Sequence, residues 1–137
     1  MKTKTIPLTI SSSLLAILLV ISYAFNPGIE EKIKDGKVIY KKNCAVCHMK
    51  NGKGVPHTFP PLVKSDYLTN NSKEKLIKLL LNGQKGKIVV NGKKYNNVML
   101  PLKNLSDYEI AAVLTYINNN FGNSGPEYFS EEIKNQR

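Results

Sequence analysis

The sequence predicts a mainly α-helical single domain that carries one short β-hairpin. Three observations lead there. Apolar residues recur at helical spacing in three stretches, Ile29 to about Lys42, Ser72 to Leu81, and Ser106 to about Asn120. Only one stretch, Ile88 to Tyr95, reads as a pair of strands, and it holds the Asn91-Gly92 dipeptide that suits a type I′ turn. The length, 137 residues with 42% of them hydrophobic, fits one domain with a small core, and no internal repeat is present.

The first segment is an address. Lys2 and Lys4 form a positive start, an apolar run is densest from Leu14 to Ile21, and Ser22-Tyr23-Ala24 supplies the small residues a signal peptidase reads. Residues 1–24 are therefore expected to be a signal peptide cleaved after Ala24. The alternative is an uncleaved N-terminal anchor, because the uncharged stretch 6–25 is long enough to span a bilayer as a helix. Both place the rest of the chain outside the cytoplasm, in the periplasm or an equivalent space, since the lysines stay inside. No cysteine follows the apolar run, which excludes a lipoprotein anchor.

The expected domain runs over 27–122. Asn26-Pro27-Gly28 is a turn ahead of it. In the first helix Ile33, Gly36, Lys37 and Tyr40 share a face, and Gly36 inside a helix asks for a packing reason. Residues 51–56 and 59–62 are loops rich in Gly and Pro. Ser72 caps the second helix, whose Leu76, Ile77, Leu79, Leu80 and Leu81 point inward and whose stop is Gly83. Ser106 and Glu109 form a capping box opening the last long helix, with Ile110, Val113, Leu114, Ile117 and Phe121 as its apolar face and Gly122 as its end. Residues 123–137 form a polar C-terminal tail with one helical turn after Ser130.

The charge balance is basic, 20 Lys+Arg against 10 Asp+Glu, for a net +10. Such a surface meets acidic proteins, anionic membranes or nucleic acid. The lysines are scattered rather than clustered and export removes the last partner, so nucleic-acid binding is not expected.

The chemistry sits in Cys44-Ala45-Val46-Cys47-His48. At i, i+3 and i+4 the three ligating side chains share one face of a helical turn. Two thiols can then add across the vinyl groups of a haem while the imidazole points at its iron, which is the c-type attachment signature. Zinc would need four ligands, and only these three and His57 are at hand. A thioredoxin-like pair needs a βαβ setting, and a disulfide closing so short a loop braces little. Met99 is the candidate sixth ligand to the iron, lying in a loop between hairpin and last helix; a space-filling core methionine is the alternative. Met49 adjoins His48 and cannot reach the other haem face, and His57 is read as an exposed loop residue.

With these residues in view, the chain resembles the class I monohaem cytochromes c of the bacterial periplasmic type, from about Asp35 to Gly122. Gly36 and Tyr40 match the glycine and aromatic of the family's first helix, and Val113 and Tyr116 the apolar and aromatic positions of its last. The resemblance implies a small cytochrome c fold, with helices wrapped around one covalent haem c and a short hairpin before the axial methionine. It implies that the Pro60 carbonyl accepts the His48 Nδ1 proton, that Leu62 packs on the haem, and that Met99 is the axial methionine. Many relatives have proline directly after that methionine; here Leu100 precedes Pro101, and Val113 stands where leucine is common.

The expected function is single-electron transfer rather than enzymatic catalysis. Cys44 and Cys47 attach the haem, His48 and Met99 bind its iron, and electrons pass between periplasmic or membrane redox proteins such as an oxidase, reductase or dehydrogenase. The alternative is a cytochrome subunit of a haem enzyme, or a gas- or peroxide-reactive sensor, with a labile sixth ligand.

Overall fold

The computed structural model describes residues 27–137; the expected leader at 1–24 and the possible anchor at 6–25 lie outside the described residues. The described chain forms α1 (Pro27–Asn43), α2 (Ala45–His48), α3 (Asp66–Thr69), α4 (Lys73–Asn82), strands β1 (Ile88–Val90) and β2 (Lys93–Tyr95), α5 (Asp107–Asn118) and α6 (Ser130–Lys134). It is mainly helical with one two-stranded sheet, as the sequence predicts.

The caps are those written in the sequence. The Ser72 hydroxyl accepts from the Lys75 N–H at 3.3 Å and opens α4. At α5 the Ser106 hydroxyl accepts from the Glu109 N–H at 3.2 Å while the Glu109 carboxylate accepts from the Ser106 N–H at 2.8 Å. That reciprocal box satisfies donors a helix start otherwise leaves unpaired. The hairpin pairs Ile88 with Tyr95, Val89 with Lys94 and Val90 with Lys93. Its turn residues Asn91 and Gly92 both have positive φ, 50° and 73°, as a type I′ turn requires.

The fold is organised by the crossing of α1 over α5. A Cβ on Gly36 would lie 2.1 Å from the Ala112 carbonyl oxygen and 2.7 Å from Tyr116 Cβ, so the two helices touch backbone to backbone there. Beside the crossing, Tyr40, Tyr116 and Phe121 form a three-ring cluster with centroids 5.2 to 5.6 Å apart. Leu76, Ile77, Leu80 and Leu81 of α4 complete the core with Ile110, Val113, Leu114 and Ile117. Leu79 is only half buried at its edge.

The sequence gives α5 one apolar face, but the structure buries every residue from Ile110 to Asn118. The reason is the segment 123–137. Its polar composition hides two anchors, Tyr128 and Ile133, both essentially inaccessible. The Tyr128 N–H donates to the Thr115 hydroxyl at 2.9 Å, and that hydroxyl donates to the Ala111 carbonyl at 2.8 Å. The polar side of α5 is thus covered by chain that meets its hydrogen-bonding needs. Lys32 of α1 pairs with Glu127 and donates to the Tyr128 carbonyl at 3.1 Å. Lys73 of α4 pairs with Glu132 and donates to the Glu127 carbonyl at 2.8 Å. Arg137 closes the segment on Asp107 at 2.5 Å and on the Leu105 carbonyl. The tail is a belt fastened to three helices.

Candidate haem-binding site

α1 hands the chain directly to the site. The Cys44 N–H still donates to the Tyr40 carbonyl at 2.9 Å, and the N–H groups of Cys47 and His48 donate to the Cys44 carbonyl at 3.1 and 2.9 Å. These bonds make 44–48 one helical turn, which puts Cys44, Cys47 and His48 on a common face. Cys44 is buried, and Cys47 and His48 are half buried. The motif spacing read from the sequence corresponds to a real local geometry.

The loop after His48 folds back on it. Tyr40 Oη donates to the Met49 carbonyl at 2.7 Å, and the Gly54 N–H donates to the His48 carbonyl at 3.0 Å. Gly54 has φ 63°, and a Cβ there would lie 2.3 Å from the Phe59 oxygen and 2.6 Å from the Pro60 oxygen. Only glycine lets the returning strand come this close. The approach delivers the Pro60 carbonyl to within 2.9 Å of His48 Nδ1. A carbonyl only accepts, so Nδ1 carries the proton and the lone pair is on Nε2. The resemblance implies this bond and the structure contains it.

The electrostatics suit a neutral ligand set. Burial holds the His48 imidazole below its ordinary pKa, partly offset by the Pro60 hydrogen bond, so the ring is neutral at neutral pH. Burial, with Cys47 close by, pushes the Cys44 thiol up to about 12. Cys44 is therefore a protonated thiol at neutral pH. An uncharged thioether is at home there. Burial also raises the Tyr40 phenol well above its usual range, keeping it a donor to Met49.

Met99 is separately built. Its N–H donates to the Gln84 carbonyl at 2.9 Å, and its carbonyl accepts from the Gln84 N–H at 3.0 Å. This bridge closes the base of the hairpin. Gly83, with φ 74°, ends α4, and a Cβ on it would lie 2.3 Å from the Met99 carbonyl oxygen. The sequence identifies Gly83 only as a helix stop; its second role is to admit the Met99 backbone. The Met99 side chain is half buried and packs against the core cluster. Met49 is exposed, and so is His57. Among the described residues no group of three or more His, Cys, Asp or Glu side chains could hold a metal ion.

The residues present fit a covalently held haem. Two cysteines and a histidine share a face, and the histidine offers Nε2. A sequence-family model for cytochrome c matches residues 33–121. Cytochrome c-552 of Thermus thermophilus is 41% identical over 111 residues, covering 75% of this chain and 84% of that protein. The cytochrome c subunit of a quinone alcohol dehydrogenase from Gluconacetobacter polyoxogenes is 27% identical over 114 residues, covering 77% of this chain and 24% of that larger protein. The CcoP subunit of a cbb3-type cytochrome c oxidase from Azospirillum brasilense is 30% identical over 91 residues, covering 61% of this chain and 27% of that protein.

Proposed function

The chain belongs to the cytochrome c family and is an electron-transfer protein built on covalently bound haem c; from that premise we propose that it carries single electrons outside the cytoplasm with its iron closed between His48 and Met99. When bound, the haem supplies one Fe(III)/Fe(II) couple, and a His/Met ligand pair raises its potential. The chain does the rest. Cys44 and Cys47 hold the group by two thioether bonds from one helical turn. Pro60 fixes the His48 ring and strengthens Nε2 as a donor. Met99 brings a thioether from a separate segment. Two protein ligands leave no coordination position for substrate, which is why exchange of an electron, not activation of a molecule, is the activity.

The observation that carries this is the contrast between the two described methionines. Met99 has both backbone groups bound to Gln84 and its side chain against the core, whereas Met49 is exposed and spends its carbonyl on Tyr40. Of the two, Met99 alone has its side chain packed on the core.

The partners are redox proteins with acidic docking surfaces. From Lys75 to Ser106 the chain has seven lysines, all exposed, and no Asp or Glu. That stretch includes Met99, and its exposed lysines would steer an acidic donor or acceptor. The relatives found as subunits of an alcohol dehydrogenase and an oxidase favour a membrane dehydrogenase, reductase or oxidase as partner. Residues 1–24 would export the chain, either cleaved or retained through 6–25 as an anchor. Among the described residues no helix is long and apolar enough to cross a membrane.

The test is the optical spectrum of the holoprotein in both redox states. The ferric protein should show the weak far-red band of methionine ligation, and Met99→Ala should abolish it. The ferrous wild type should refuse carbon monoxide at neutral pH, and Met99→Ala should take it up. A wild type that lacks the band and binds carbon monoxide readily would overturn the closed site in favour of a labile sixth position. Electron-transfer rates with an acidic partner should fall as salt rises; a flat response would remove the steering role.

A further inference from the structure

Asp66 and Asn91 lie 25 residues apart and clasp each other through both backbones. The Asn91 N–H donates to Asp66 Oδ1 at 2.7 Å, and the Asp66 N–H donates to Asn91 Oδ1 at 3.0 Å. Asn91 Nδ2 adds a third bond, to the Val63 carbonyl at 3.2 Å. A type I′ turn asks only that residue 91 accept positive φ; it does not ask for these three bonds. One of them has a carboxylate as acceptor, which makes it stronger than a bond between neutral groups.

What the clasp joins gives it meaning. On one side is the segment 62–66, which begins two residues after the carbonyl that holds His48. It is firmly tied. The Leu62 N–H donates to the Gly52 carbonyl at 2.7 Å, and the Lys64 N–H to the Phe121 carbonyl at 3.2 Å. Asn123 grips it twice, donating to the Leu62 carbonyl at 2.8 Å and accepting from the Ser65 N–H at 3.1 Å. On the other side is the tip of the hairpin whose base is the Gln84–Met99 bridge. Besides its own strand pairing, the hairpin is held by two buried side chains. Its buried residues Val90 and Tyr95 stand outside the main core cluster, and the helix it chiefly contacts is α3, which begins at Asp66.

We propose that the Asp66–Asn91 clasp is the positioning device of the Met99 loop, holding the hairpin to the frame that carries His48 and so keeping the methionine in place against the iron. Asp66 and Asn91 touch neither ligand; they act through the hairpin. The proposal rests on Met99 being the sixth ligand.

The experiment compares ferric holoproteins of the wild type, Asn91→Gly, Asp66→Ala and Asp66→Asn. Each is titrated with imidazole, which binds the iron only when the methionine leaves, and the loss of the far-red band is followed. Asn91→Gly keeps the turn, because glycine accepts the same positive φ, and removes the two side-chain bonds of Asn91 while leaving its backbone N–H on Asp66, which Asp66→Ala removes. Asn91→Gly and Asp66→Ala should each raise the apparent imidazole affinity about tenfold, equivalent to about 1.4 kcal/mol in the opening equilibrium. Asp66→Asn should do less, since an amide oxygen still accepts. A clasp that merely stabilised the fold would lower the denaturant midpoint by far-ultraviolet circular dichroism and leave imidazole affinity in plain buffer alone. Should Asp66→Ala fail to fold, Asn91→Gly decides the matter by itself. Affinities within about twofold of a wild type that shows the band overturn the clasp alone. A wild type without the band overturns the ligand assignment and the clasp with it.

Discussion

The two segments that carry the proposed iron ligands are held in opposite ways. Residues 44–66 are part of the frame: α1 runs into them, Gly54 draws Pro60 onto His48, and Gly52, Phe121 and Asn123 hold the returning strand. Residues 83–105 hang from that frame. Their fixed points include the Gln84–Met99 bridge, the Leu102 N–H bonded to the Leu80 carbonyl at 2.8 Å, the clasp at Asn91, and the buried Val90, Tyr95 and Leu105. Local opening of the Met99 segment is therefore expected to cost less than opening of the His48 segment. On the proposed ligation, a difference of that kind would let His48 stay bound while Met99 is exchanged.

The sharpest way to break the comparison is to strike the shared frame. Gly36→Ala forces a methyl group into the Ala112 carbonyl, and overpacking at a backbone contact should cost about 3 kcal/mol or more. Denaturant melts followed by haem absorbance and by circular dichroism should shift together, because both ligand segments depend on the α1–α5 crossing. Ile133→Ala, at a fully buried position in the belt, should cost about 2–4 kcal/mol, again with coincident probes. Loss at the Met99 segment alone, with His48 still bound, would show that the belt serves only one side.

Gly83→Ala separates the two segments. Its backbone lies in a glycine-only region and its Cβ would meet the Met99 carbonyl oxygen, a local strain of about 1–3 kcal/mol. The far-red band should weaken or vanish while the helical signal persists; an intact band would mean the Met99 loop absorbs the change elsewhere. The smallest expected effect concerns the acid limb of stability. Backbone and hydroxyl hydrogen bonds from Ser106 hold the Glu109 carboxyl below its usual range. A depressed carboxylate pKa contributes stability above the unfolded value, near 4.3, and loses it as pH falls through the folded value. Glu109→Gln should thus lower stability slightly at neutral pH and leave it unchanged below the folded value, so that the acid limb is flatter; an unaltered acid limb would show the box contributes nothing through charge.

What the sequence made legible was whatever is written within one turn or one motif. Ser72, Ser106 with Glu109, and Asn91-Gly92 each announce an element through chemistry confined to four residues. Cys44, Cys47 and His48 announce a face for the same reason. Gly36 was legible as a packing demand because a helical glycine has no local purpose. The rest depends on pairs distant in sequence. Tyr128 and Ile133 are two apolar residues in a polar stretch, and nothing nearby says that Lys32 and Lys73 will bind the chain around them. Thr115 and Asn118 look like a solvent face until that belt is in place. Gly83 reads as a helix stop, and its contact with Met99 arises only when a loop of fifteen residues closes between them. The Asp66–Asn91 clasp is invisible for the same reason.

The belt also bears on where the unit of inheritance ends. The family pattern stops at Phe121, and a gene trimmed to that pattern would look complete by alignment. By packing it would be open along one side, with Thr115 deprived of its partner and Lys32 and Lys73 left facing nothing. The packed unit here extends beyond the residues that the family model matches. Anyone grafting this cytochrome onto an electrode-binding or enzyme fusion should therefore carry the chain through Arg137 and attach any C-terminal linker beyond it.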